Sequence, residues 1–145
     1  MTETTQDYSN HVRRHPLFHF FLVPALTIHL AWSIARLAQQ PGWDRAEQLL
    51  LAAALIVMMF LVRGYALRAQ DRVIRLEERL RYQRILPAEL AAKAGELPVR
   101  FIIALRFAPD EELPGLVRQA VDGKFAKPAG VKRAIRNWRA DHFRV

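Results

Sequence analysis

The chain contains no cysteine. This excludes disulfides, thiolate nucleophiles and every zinc or iron–sulfur site built on Cys, and it leaves the redox compartment open. Also missing are a Gly-rich phosphate loop, a G-x-S-x-G elbow and an H-E-x-x-H pair, so no residue is assigned a catalytic role and no cofactor is expected. Helix breakers are scarce where they would matter most, because between Asp44 and Leu86 only Gly64 interrupts helical sequence. The most informative absence is charge. No Asp, Glu, Lys or Arg occurs from Leu17 to Ala35, and none from Gln48 to Val62.

What is present is sorted to match. Hydrophobic residues make up 52% of the 145 positions and charged residues 25%, and the two kinds occupy different parts of the chain. The formal net charge is +8, and 18 of the 22 basic residues lie in the last 83 positions, after the second uncharged run. A basic excess spread over a soluble domain points to nucleic acid. Placed after an apolar run, it reads first as a topology signal.

A cleaved signal peptide has an apolar stretch of roughly 7 to 15 residues and a small-residue cleavage site. The first run here is longer, ends in Ile34, Ala35 and Arg36, and is soon followed by a second run. A helix of about 20 residues, rising 1.5 Å each, matches a hydrocarbon core of roughly 30 Å. The expected spans are therefore residues 17–36, uncleaved, and 46–67, the second lengthened by Arg63, whose guanidinium can snorkel toward headgroups. Trp43 and Tyr65 suit the two interfaces. Arg13 and Arg14 precede the first span and seven Arg from Arg63 to Arg84 follow the second, whereas the loop between carries Arg45 with Arg36 at its edge. Both termini are expected on the cytoplasmic side. Asp44 is the expected N-cap of the second helix.

The predicted architecture is an all-α membrane protein. A cytoplasmic segment (1–16) leads to a two-helix transmembrane hairpin (17–67), and the second helix extends into the cytoplasm before a small bundle of short helices (68–145). On the extended helix, Asp71 with Arg75 and Glu77 with Arg81 are i,i+4 pairs, and Ala69, Val73, Leu76 and Leu80 form an apolar seam that a partner helix must cover. That partner is either internal or another protomer. Four short helices should follow: Pro87–Ala94 with Gly95 after it, Pro98–Phe107, a third beginning at Asp110, Glu111 and Glu112, and a fourth from about Gly130 to Asp141. The third buries Leu113, Leu116, Val117, Ala120 and Val121. The fourth places Val131, Ala134, Ile135 and Trp138 opposite Lys132, Arg133, Arg136 and Arg139, a basic amphipathic pattern suited to an anionic surface.

Several stretches carry a family likeness: Asn10-His11-Val12-Arg13, the run from Gln70 to Arg81 (QDRVIRLEERLR), Leu105-Arg106-Phe107-Ala108 with Asp110-Glu111-Glu112-Leu113, and the tail from Trp138 to Val145. On these the chain resembles a family of short bacterial membrane proteins known only as a domain of unknown function. Pro109 stands where Ser would be expected before the acidic cluster, which removes a side-chain N-cap. The resemblance implies two spans and supplies no activity; the expected location is the inner, cytoplasmic membrane of a bacterium.

Histidines are the remaining chemistry. His11, His15 and His19 recur every four residues, as a helical metal site requires, but Pro16 disfavours helix at His15. Interfacial histidines near headgroups are the plainer reading. His29, with Thr27 and Ser33, lies mid-span, where an interhelical hydrogen bond accounts for it. Asp71, Glu77 and Glu78 each have an Arg within three or four positions and read as ionised helix-surface pairs. The leading expectation is a membrane-anchored, non-enzymatic interaction module. It would contact anionic lipid, a protein partner or a second copy through Arg63, Arg68, Arg72, Arg75, Arg79, Lys132, Arg133, Arg136, Trp138 and Arg139. The alternatives are a membrane-tethered nucleic-acid binder and a metal or haem protein using the N-terminal histidines; no small-molecule substrate is indicated.

Overall fold

A computed structural model describes residues 7, 8 and 15–141. All regular structure among them is helical: a π-helical segment Leu17–Leu22 that runs into α1 (Val23–Gln39), α2 (Trp43–Ile85), α3 (Ala88–Glu96), α4 (Val99–Leu105), α5 (Leu113–Val121) and α6 (Pro128–Ala134). The described residues form two compact units, one of residues 15–67 and one of residues 68–141 with Asp7 and Tyr8.

In the first unit the N–H of Val23 donates to the Phe18 carbonyl five residues back. This wider register lies just ahead of Pro24, whose missing N–H would otherwise leave a gap in the α-helical ladder. Two helices are long and apolar enough to cross a membrane, Leu17–Gln39 and Trp43–Ile85. Their polar groups are satisfied locally, since Thr27 Oγ1 donates to the Val23 carbonyl (2.7 Å) and Ser33 Oγ to the His29 carbonyl (2.8 Å). Ser33 thus bonds within its own helix, and His29 is exposed on its surface. Between α1 and α2 the Gly42 carbonyl accepts from the N–H groups of Arg45 and Ala46. Gly42 therefore takes the N-cap place expected of Asp44, which sits one residue inside the first turn, where its charge suits the dipole.

The second unit has its own core, in which Tyr82, Ile102, Leu105, Phe107, Leu113, Val117 and Val131 are fully buried. Helix α4 packs on α5 and α6, and α3 on α5. Proline sets the starts: Pro87 and Pro98 stand immediately before α3 and α4 in extended geometry, and Pro128 opens α6. Helix α3 runs through Gly95 to Glu96 instead of ending at Ala94, and α4 ends at Leu105. Helix α5 closes in a Schellman arrangement, with Gly123 N–H on the Ala120 carbonyl, Lys124 N–H on the Gln119 carbonyl and Gly123 at φ 75°.

The fourth helix is much shorter than expected. It stops at Ala134, and the Ile135 backbone turns extended (φ −71°, ψ 124°). The cause is Glu112, whose carboxylate accepts from the backbone N–H groups of Arg136 (2.9 Å) and Asn137 (3.0 Å) and from the Asn137 side-chain amide (3.1 Å). Arg139 N–H then donates to the Phe107 carbonyl at 2.8 Å. Charge-assisted bonds to backbone donors replace the next helical turn, so the expected amphipathic helix to Asp141 is not formed.

Candidate functional site

Beyond residue 68, helix α2 has one covered face and one exposed face. The positions Ile74, Glu78, Arg81 and Tyr82 are buried, with exposures of 6, 4, 7 and 1%. Val73, Leu76 and Leu80 remain 54, 61 and 60% exposed, and Ala69 is exposed with them. The short helices therefore cover the side of α2 away from the apolar seam.

On the covered side lies an ion cluster built on the buried Arg81 and Glu78. Arg81 Nε and Nη2 donate to Asp110 Oδ1 (2.8 and 2.5 Å), Nη2 also to the Ala108 carbonyl (2.7 Å), and Nη1 to Glu78 Oε2 (3.2 Å). From the C-terminal segment Arg139 Nη1 approaches Glu78 Oε1 at 3.5 Å, and Arg106 Nε pairs with Asp141 Oδ2 at 2.9 Å. The Arg106 guanidinium lies 4.2 Å from the Phe107 ring centroid, and Phe107 in turn stacks on Trp138 at 4.8 Å with a 33° tilt. A cleft of about 710 Å³ opens beside the cluster, lined by Leu80, Arg81, Arg84, Arg106, Arg139 and Asp141 among others.

The electrostatics differ between the two main acids. Burial pushes the Glu78 carboxyl above its ordinary range, against the opposing pull of Arg81 and Arg139. The hydrogen bonds from Arg81 hold Asp110 below the usual carboxylate range. Burial also raises the Tyr82 phenol, whose hydroxyl has no hydrogen-bond partner among the described residues. Glu78 is thus a buried member of a network, not the surface pair partner expected, and Arg81 goes to Glu78 and Asp110 where Glu77 was expected. Likewise Asp110 and Glu112 act as tertiary acceptors, where sequence alone made them helix-start charges. An Arg engages each of Glu78 and Asp110, which suits clamping the C-terminal segment and the α4–α5 turn onto α2.

The residues named from sequence fall in separate places. Arg63 lies 5.3 Å over the Phe18 ring in the first unit. Arg68 and Arg72 are exposed and Arg75 is half-buried. Arg79 donates to the Gly95 carbonyl at 2.9 Å, which ties α3 to α2. Lys132 Nζ sits 5.5 Å over Phe107 and Arg133 lies 5.4 Å over Tyr8. Arg136 is held by its backbone, Trp138 is docked on Phe107, and Arg139 reaches Glu78. Of the histidines, the His19 ring bonds the His15 carbonyl (3.0 Å), and His11 lies outside the described residues. No group of three or more metal-ligating side chains occurs among the described residues. Sequence reading missed Arg81, Tyr82, Asp110 and Glu112 as a set, because the acid cluster after Pro109 was already accounted for as helix-start charge.

A family profile, DUF6526, described as a family of unknown function, matches residues 1–145, the whole chain. The chain belongs to DUF6526. Comparison with curated proteins and with solved structures gave no match. This DUF6526 chain thus combines an ion-clamped helical unit, an exposed seam on α2 and two apolar helices.

Proposed function

We propose that this DUF6526 chain is a membrane-anchored, non-enzymatic interaction module that pairs with a second copy of itself along the outward face of α2. The observation that carries the reading is the exposed row Ala69, Val73, Leu76 and Leu80, spaced 4, 3 and 4 as in a coiled-coil seam, on a helix whose opposite face is filled by its own short helices.

Membrane anchoring is supported by what the apolar helices leave uncovered. Only 6% and 11% of their most apolar windows is buried within the chain, whereas the core helix of a soluble protein is mostly buried. Phe20, Phe21, Trp32, Leu50 and Phe60 are all more than 60% exposed, an arrangement suited to lipid. The contact of Tyr8 with Arg133 supports both ends lying on one side of that membrane, and the Arg-rich stretch after residue 62 supports the cytoplasmic side.

Anchoring also selects the geometry of pairing. Two copies in one membrane emerge in the same direction, so their α2 helices meet in parallel. In a parallel coiled coil with Val73 and Leu80 at the a positions, Arg72 falls at g and Glu77 at the following e, so Arg72 of one copy meets Glu77 of the other, twice by symmetry. Both residues are exposed. The next such pair would set Arg79 against Arg84, but within each chain Arg79 is turned to the Gly95 carbonyl and Arg84 toward Asp110.

Because the chain has no cysteine, single-cysteine variants test the pairing without background. In native membranes under mild oxidation, Leu76→Cys should cross-link to a covalent dimer, and Asp122→Cys, exposed at the end of α5, should not. Arg72→Glu should weaken cross-linking through Leu76→Cys, and adding Glu77→Arg should restore it. A monomeric Leu76→Cys variant, or one indifferent to both charge changes, would overturn the proposal.

A further inference from the structure

The first unit holds a groove of about 420 Å³ whose lining includes Phe18, Leu22 and Leu26 on one wall and Leu55, Met59 and Val62 on the other, and whose exposed surface is almost entirely apolar. Among its described lining residues the charged or titratable ones are His15, just ahead of the first apolar helix, and Arg63, which stacks over Phe18. We propose that this groove seats one acyl chain of an anionic phospholipid, with the phosphate at Arg63 and His15. The inference rests on the reading of the two helices as membrane spans.

Length and charge both argue for this occupant. Along α2 the groove runs from Arg63 at its cationic end to Leu55, roughly 12 Å at 1.5 Å per residue and so most of one leaflet. One leaflet of a hydrocarbon core is about 15 Å deep, half of roughly 30 Å. The cationic end coincides with the end of the uncharged run Gln48–Val62, at headgroup depth, and the Leu26 and Leu55 end lies toward the middle of the bilayer. A groove that is apolar over most of one leaflet and cationic at its mouth matches an anionic lipid of the leaflet on the side of the chain ends. A cofactor or metabolite with polar groups along its length would strand them against Leu22, Leu26 and Met59. The π-helical segment contributes Phe18 and Leu22 to one wall, and π turns in helices recur at ligand sites.

The test uses full-length protein in nanodiscs of equal phosphatidylcholine and phosphatidylglycerol, with a photoactivatable group at mid-chain of one lipid or the other. The expected result is cross-linking to Leu55, Met58 or Met59 by phosphatidylglycerol in preference to phosphatidylcholine, and one retained phosphatidylglycerol per chain in native mass spectra. Arg63→Gln should cut that preference about fivefold, the worth of one basic side chain at an anionic surface. Leu26→Trp should fill the groove and abolish cross-linking while leaving membrane insertion intact. Cross-links scattered over the exposed faces, equal retention of both lipids, or a retained free fatty acid would overturn the inference. Protein that washes off membranes in alkali would instead overturn the membrane reading on which it rests.

Discussion

Arg81 and Arg84 stand three positions apart on α2 and both approach Asp110, so the ion cluster makes a sharp prediction about their unequal worth. Arg81 is 7% exposed, and its guanidinium serves Asp110, the Ala108 carbonyl and Glu78 at once. The Arg84 side chain is 75% exposed and comes no nearer than 3.9 Å to Asp110. Replacing either with Met keeps an unbranched stem and removes the charge. At Arg84 the loss is that of an exposed pair, about 0–1 kcal/mol. At Arg81 the Glu78 carboxylate, 4% exposed, keeps Arg139 at 3.5 Å as its basic partner among the described residues, and the Ala108 carbonyl loses its Arg81 donor. Breaking one side of a buried pair costs about 3–5 kcal/mol. Hydrogen exchange of α4 and α5 in the full-length protein reads this locally. With one tenfold step per 1.36 kcal/mol, Arg81→Met should lower protection roughly 150- to 5,000-fold and Arg84→Met less than roughly sixfold. Adding Glu78→Gln to Arg81→Met should recover part of the loss, because it removes the stranded charge. Equal effects at the two arginines would refute the view that Arg81 holds the unit together.

Four further outcomes follow from named residues. Glu78 has its carboxyl raised above the ordinary 4.5, so the folded state holds more protons than the unfolded one in the window just above that value, and stability should fall there as pH rises. Glu78→Gln should flatten that fall. Asp110, lowered from 3.8, acts in the opposite sense: its stabilisation is present above 3.8 and is lost as pH drops below it, which urea titrations of Asp110→Asn at a series of pH values would check. Gly123→Ala, at φ 75° in the α5 terminus, should cost about 1–2 kcal/mol in the same denaturation assay, although nothing crowds its position. Tyr82→Phe should leave stability unchanged or raise it by up to about 1–3 kcal/mol in thermal melts, since it deletes a buried hydroxyl without a partner.

Helices were legible in this sequence because their signals are local. Uncharged runs marked the two apolar helices, the absence of breakers from Asp44 to Leu86 marked α2, and Pro87 and Pro98 marked the starts of two short ones, whereas the last was expected from about Gly130 and begins at Pro128. The seam residues Val73, Leu76 and Leu80 were also legible as a row, and its exposure answers which side of α2 the short helices occupy. What sequence could not supply was long-range capture. Arg81 was read with Glu77 because helical spacing makes them neighbours, but Asp110, 29 residues away, offers a better acceptor in the folded unit. The same limit explains α6. From Gly130 to Asp141 the periodicity is helical, and only the distant Glu112 carboxylate draws the Arg136 and Asn137 amides out of that path. Glu78, surrounded by arginines in sequence, read as solvated, yet in the fold it is 4% exposed and meets Arg139 of the C-terminal segment.

Single-cysteine accessibility in cells expressing the full-length chain decides whether the proposed membrane hairpin has both ends on one side. An impermeant maleimide should label Gln40→Cys, in the exposed turn between α1 and α2, on intact cells, and should label Ala126→Cys, exposed between α5 and α6, only after the membrane is opened. Labelling of both sites on the same side, whether before or after opening, would contradict it.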